Sequence, residues 1–192
     1  MPYNRKKHNR RSIRLQGYDY SSPGQYFVTI CTQNRECLLG KIKGCAVSLN
    51  EMGSIAEKFW QKIPKRYENV ELDSHIVMPN HFHGIVKIND GHVGVIHESP
   101  LRGRKYDDLR ETDPEQYRKK RRNMLLPKII GWYKMNVSKR INQIQGTPGE
   151  KVWQRNYYEH IIRDDQSLER IRYYIINNPA RWEEDQNNPQ NF

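Results

Sequence analysis

The strongest constraint on this chain is a pair of strand-like runs separated by a Pro-Asn turn. Residues 70–78 (Val-Glu-Leu-Asp-Ser-His-Ile-Val-Met) and residues 81–88 (His-Phe-His-Gly-Ile-Val-Lys-Ile) flank Pro79-Asn80. Runs of β-branched and aromatic residues broken by so short a turn must fold back as antiparallel neighbours. A third run, Tyr26-Phe27-Val28-Thr29-Ile30-Cys31, follows the turn signal Pro23-Gly24. Asn34-Arg35 reads as a turn and residues 37–40 as a short partner strand. Val152-Trp153-Gln154 and residues 157–162 read as short strand segments.

Between these runs the apolar period changes from two to 3.6. Asn50 is a plausible N-cap for a helix carrying Met52, Ile55, Ala56, Phe59, Trp60 and Ile63, stopped by Pro64. Leu125, Leu126, Ile129, Ile130, Tyr133, Val137 and Ile141 form the apolar face of a second helix, which Gly146-Thr147-Pro148-Gly149 breaks. A last helix over residues 166–177 carries Leu168, Ile171, Tyr174 and Ile175 and stops at Pro179. The order β-α-β-β-α-β-α predicts an α+β, ferredoxin-like antiparallel sheet with helices on one face. The chain divides into a basic arm (1–22), one domain (23–182) with an insertion (89–124), and a polar tail (183–192). The insertion carries a short helix near 114–122.

With 192 residues, one domain is the expected number. Adding 12 Gly to the 35% hydrophobic residues brings the apolar share to about 41%, enough for a modest core. No apolar run approaches the ~20 residues that span a bilayer. Met1–Leu15 lacks the apolar stretch of a secretory signal. Three cysteines, Cys31, Cys37 and Cys45, without CxxC spacing fit neither a disulfide scaffold nor a Cys-rich zinc module, so a reducing cytoplasm is expected.

The net charge is +11 and the pI about 9.6. The excess is concentrated. Residues 1–15 hold Arg5, Lys6, Lys7, Arg10, Arg11 and Arg14 and no acid. Residues 101–124 hold nine basic and five acidic side chains, and residues 125–145 hold Lys128, Lys134, Lys139 and Arg140 and no acid. Such an excess points to a polyanionic partner, most often nucleic acid, although a basic tail and a solvated helix face have the same composition. The arm and the basic helix face are the expected phosphate contacts; Trp132, Trp153, Tyr157 and Tyr158 could stack unpaired bases or simply pack.

Two local patterns carry possible chemistry. In His81-Phe82-His83, residues i and i+2 of a strand share a face, so two imidazoles project together while Phe82 turns to the other layer. Converging imidazoles make half of a metal site; one exposed and one hydrogen-bonded histidine would give the same letters. In Tyr174-Ile175-Ile176-Asn177-Asn178-Pro179, positions i and i+4 of a helix put Tyr174 beside Asn178. A phenol of pKa ~10 is a weak nucleophile until a cation polarises its target phosphate. The pair would equally suit a packing tyrosine and a C-terminal cap.

Together with Met78-Pro79-Asn80, the opening Gly17-Tyr18-Asp19-Tyr20, and Trp153-Gln154-Arg155-Asn156-Tyr157-Tyr158-Glu159-His160-Ile161-Ile162-Arg163, these pieces resemble the single-tyrosine HUH transposase superfamily. The chain looks most like its REP-associated tyrosine transposase branch, in matching order from about Arg11 to Trp182. The resemblance implies an HUH-endonuclease-type fold that cuts and rejoins single-stranded DNA at hairpins formed by imperfect palindromes. It assigns a divalent ion, Mg²⁺ or Mn²⁺, to His81, His83 and Asn178, and makes Tyr174 the nucleophile that forms a 5′-phosphotyrosine. Two imidazoles alone would suggest Zn²⁺ or Mn²⁺. The resemblance also implies a bacterial, cytoplasmic, nucleoid-associated protein, monomer or homodimer. The alternative is a catalytically silent, domesticated protein that binds DNA hairpins. Tyr173, Tyr133, Tyr157 and Tyr158 are competing tyrosines; His75 and His160 read as structural, and Glu159 as a possible orienting group. The insertion departs from the compact core of the superfamily.

Overall fold

The computed structural model describes residues 15, 18–90 and 112–191. The basic arm residues Arg5, Lys6, Lys7, Arg10, Arg11 and Arg14, and most of the insertion, lie outside the described residues.

A four-stranded sheet runs in the order β4-β5-β1-β6, with every neighbouring pair antiparallel. Its strands are β1 (Gly24–Cys31), β4 (Val70–Val77), β5 (His81–Ile88) and β6 (Tyr158–Ile162). The expected β4–β5 hairpin forms: Met78 N–H donates to the His81 carbonyl at 2.8 Å across the Pro79-Asn80 turn. β1 and β5 are central and buried on both faces, which accounts for their nearly continuous apolar runs. A second, two-stranded sheet pairs β2 (Gly40–Lys43) with β3 (Ala46–Leu49). Residues 37–39, expected to be strand, are a link instead. Leu39 is buried and its N–H is taken by the Pro79 carbonyl at 2.9 Å.

α1 (Glu51–Trp60) starts as expected, with the Asn50 side chain accepting from Gly53 N–H at 3.0 Å. Pro64 does not stop the chain; it sits in the first turn of α2 (Ile63–Arg66), where no backbone N–H is needed. α3 (Pro114–Asn123) and α4 (Leu125–Gln145) follow, and Gly146 at φ 67° caps α4 in the left-handed region. α5 (Asp165–Asn177) opens on Asp164, whose carboxylate accepts from Ser167 N–H at 2.7 Å. Trp153 forms an isolated bridge with Thr32, so the 152–154 segment is no separate strand.

The sheet carries helices on both faces, where one face was expected. α1 and α4 cover the face of Tyr26, Val28, Ile30, Phe82 and Val86, burying Trp60 and Tyr133 there. The Trp60 and Phe82 rings lie 4.4 Å apart. A Cβ on Gly84 would stand 2.5 Å from the Trp60 ring, so only glycine admits the indole this close to the strand. α5 covers the opposite face, packing Leu168 and Ile175 on Phe27, Ile85 and Ile162. Strand alternation explains the split: the central strands are apolar on both sides, and each side needs its own cover.

Residues 183–192, expected as a polar tail, are built into the domain as far as residue 191. Short 3-10 turns over Pro179–Glu184 and Pro189–Asn191 are held by side chain–backbone bonds. Asn188 Nδ2 donates to the Trp182 carbonyl at 3.0 Å, and Asn191 Nδ2 donates to the Glu183 and Asp185 carbonyls at 2.9 Å. Asparagine organises backbone here without any apolar periodicity.

Candidate active site

β5 presents His81 and His83 toward α5, and Phe82 between them points into the opposite layer. α5 lays Tyr174 over the pair: its hydroxyl stands 3.2 Å from His83 Nε2. The two imidazole Nε2 atoms are 3.0 Å apart. Asn178 ends α5, and its Nδ2 donates to Asp185 Oδ2 at 3.1 Å. That carboxylate oxygen stands 3.7 Å from His81 Nε2. Tyr174, His83, His81, Asp185 and Asn178 therefore form one continuous cluster. Both histidines, Asp185 and Asn178 are buried; Tyr174 is 37% exposed, so its phenol is reachable from outside.

Asn80 sets the proton on His81. Its Nδ2 donates to the Arg35 carbonyl at 3.0 Å and the Asn187 carbonyl at 2.7 Å, which leaves Oδ1 to accept from His81 Nδ1 at 2.8 Å. His81 Nε2 is then the bare nitrogen, aimed at His83 and Asp185. His83 Nδ1 is held by Thr29 Oγ1 at 2.8 Å. His83 stacks on Phe27 (centroids 5.4 Å apart), and His81 stacks on Trp182 (6.1 Å).

Burial keeps both imidazoles neutral. It lowers the His81 pKa to about 4 against the opposing pull of Asp185, and holds His83 well below its ordinary value, with His81 adding to the effect. Burial and then the Asp185 charge raise the Tyr174 phenol to about 12, while the Asn178 amide acts in the opposite direction. The resting phenol is therefore protonated.

His81, His83 and Asp185 can each turn one ligand atom to a common point, with those atoms within 4.8 Å of one another. Neutral imidazoles and a carboxylate suit a divalent cation. Asn178 Oδ1 is buried beside this group without a hydrogen-bond partner among the described residues, an oxygen that an ion would satisfy.

The expected His81, His83, Tyr174 and Asn178 thus come together; the basic helix does not join them. α4 lies on the other face of the sheet, with Lys128, Lys139 and Arg140 exposed on it. Lys134 holds the link before β6, donating to the Gln154, Arg155 and Asn156 carbonyls at 2.6, 3.2 and 3.3 Å. Tyr133 is buried in the α4 core, Tyr173 is exposed, and Glu159 faces Tyr20 across the sheet from the imidazoles. His75 pairs with Glu57 at 2.7 Å on the Trp60 side. Sequence reading missed Asp185, Asn80 and Thr29. Asp185 lies in an acidic, Asn-rich stretch with no periodic signal, and Asn80 reads simply as a turn residue.

An uncharacterized protein of Haemophilus influenzae is 41% identical over 184 residues, 96% of each chain. The chain belongs to the family of that Haemophilus protein. No family model matches it. Among solved structures it is similar to a REP-associated tyrosine transposase bound to a REP hairpin (TM-score 0.49, 16% identity, 90% of this chain and 74% of that one). It is also similar to a candidate transposase from Deinococcus radiodurans R1 (TM-score 0.44, 16% identity, 85% and 97%). No helix among the described residues is long and apolar enough to cross a membrane.

Proposed function

We propose that the chain is a REP-associated tyrosine transposase, a metal-dependent enzyme that nicks and rejoins single-stranded DNA beside a hairpin, with Tyr174 as nucleophile. The observation that carries this reading is the meeting of Tyr174 with His83 at 3.2 Å, in a cluster that also holds His81 and Asp185. Tyrosine is suited to rejoining because a phosphotyrosine bond conserves the phosphodiester energy that hydrolysis by water would lose.

His81, His83 and Asp185 would hold the ion, with Asn178 Oδ1 available as a further oxygen. The bound ion supplies charge neutralisation at the scissile phosphate. Two imidazoles and one carboxylate favour Mn²⁺ or Zn²⁺ over Mg²⁺, which prefers oxygen ligands. Asn80 and Thr29 orient the rings, and Trp182 and Phe27 exclude water from their faces. The Tyr174 oxygen forms a bond to phosphorus as the bond to the 3′ oxygen breaks. The released strand keeps a 3′-OH, and the phenolic proton is balanced by the proton on that hydroxyl. Rejoining runs the same exchange backwards.

The test is incubation of a labelled single strand carrying a hairpin and an unpaired flank with the protein and Mn²⁺. A covalent adduct that survives SDS and is lost in Tyr174→Phe is expected. Tight hairpin binding with no adduct over a range of flanks would refute catalysis and leave the silent, hairpin-binding reading.

A further inference from the structure

The sheet face that carries the imidazoles continues past them to an open edge. Strand register sets Ile76, His83, Thr29 and Tyr158 in one row across the sheet, and Ile85, Phe27 and His160 in the next. α5 does not cover the end of these rows. It is tied toward β4 by Arg172, whose Nε and Nη2 donate to the two Asp73 carboxylate oxygens at 2.9 and 2.5 Å. β6 is an edge strand, so the rings of Tyr158 and His160 stand exposed on it. With Phe27, Ser167, Arg170 and Ile171 they line an open cavity of about 250 Å³.

This cavity adjoins the site through a single ring. Phe27 stacks on His83 and meets Tyr174 edge-on at 6.1 Å and Tyr158 edge-on at 6.3 Å. Arg170 lies one helical turn before Tyr174 and so shares its face of α5. Its guanidinium donates to Ser167 Oγ at 2.8 Å at the rim. Flat aromatic surfaces with a cation at the mouth, on a chain of net charge +11, match the chemistry of an unpaired base and its phosphate.

We propose that this cavity receives one unpaired nucleobase of the DNA strand, next to the phosphate that Tyr174 attacks. Tyr158 and His160 are its stacking surfaces, and Arg170 contacts the adjoining phosphate. The inference rests on the strand-transfer reading and adds a specificity subsite to it. A solvent-facing tyrosine and histidine side by side on an edge strand, with an apolar floor of Phe27 and Ile171, gain burial when a base enters.

The test is fluorescence anisotropy in the Tyr174→Phe background, where binding is read without chemistry. The probes are a short oligothymidylate and an abasic phosphodiester chain of the same length and charge. Wild-type surfaces should bind the oligothymidylate about tenfold tighter, within the range expected from stacking a base. Adding Tyr158→Ala and His160→Ala should remove most of that preference while leaving abasic-chain binding unchanged. Arg170→Ala should weaken both probes. Tyr158→Trp, which keeps a ring, should retain the preference, and thermal melting checks that each variant is folded. Unchanged discrimination in a folded double variant overturns the subsite, even where the Tyr174 adduct forms. A preference lost in the double variant, in a protein that forms no adduct, overturns strand transfer and keeps the subsite. Failure to bind either probe overturns the subsite and leaves strand transfer to be decided by the hairpin adduct.

Discussion

Replacing Asp185 with asparagine removes the only formal charge among the three donor side chains while nearly preserving shape. The imidazoles are held neutral, so the carboxylate supplies the electrostatic part of ion binding. At an effective dielectric of 20, two unit charges 4 Å apart interact by about 4 kcal/mol. Desolvation and the surviving amide oxygen offset much of this, and a loss of about 100-fold in affinity is expected. The assay is thermal unfolding with and without Mn²⁺. At an ion concentration 100 times Kd, binding stabilises the wild type by about 2.7 kcal/mol, or about 5–11 °C for a chain of this size. The same concentration only equals Kd in Asp185→Asn, giving about 0.4 kcal/mol, less than 2 °C. The ion-free variant should also melt somewhat lower, because an amide cannot accept from both Asn178 Nδ2 and Asn187 N–H as the carboxylate does. An equal Mn²⁺-induced shift in the variant, with the shift lost in His81→Gln, would refute the claim that Asp185 is a ligand. The carboxylate would then be only an anchor for the C-terminal turns.

Asn80→Ala should lower Mn²⁺ affinity about 10–100-fold, because His81 Nδ1 loses its fixed acceptor and the ring its orientation; titration calorimetry measures this, and an unchanged Kd counts against tautomer control by Asn80. The Arg172 guanidinium beside Asp73 lowers that carboxyl from 3.8 to about 2. Because the folded pKa is the lower one, this contribution is complete above about pH 4 and is lost as pH falls toward 2. The shift corresponds to about 2.4 kcal/mol before screening, and about 1 kcal/mol for a pair this exposed. Acid unfolding of Asp73→Asn should lack that component; identical acid profiles would show that the pair does not hold α5.

Much of the fold follows from local rules. The two β runs about Pro79-Asn80 had to form a hairpin, the Asn50 cap started α1 where expected, and the alternation of His81, Phe82 and His83 placed both imidazoles on one face. The pairing of Tyr174 with Asn178 needed only helical spacing. These are short-range consequences of backbone geometry, so they are written within a few residues of where they act.

What tertiary structure decided is long-range. An amphipathic pattern marks which side of a helix is apolar, but not which side of the sheet receives it. Only packing placed α5 over the imidazoles and α4, with Lys128, Lys139 and Arg140, behind the sheet. Asp185 reaches His81, and Asn80 reaches Asn187, by single contacts between residues more than a hundred positions apart. Such contacts leave no period in the chain. They exist because asparagine-rich turns satisfy their own backbone and fold a polar segment, outwardly like a tail, onto the buried imidazole pair, to which it brings the Asp185 carboxylate.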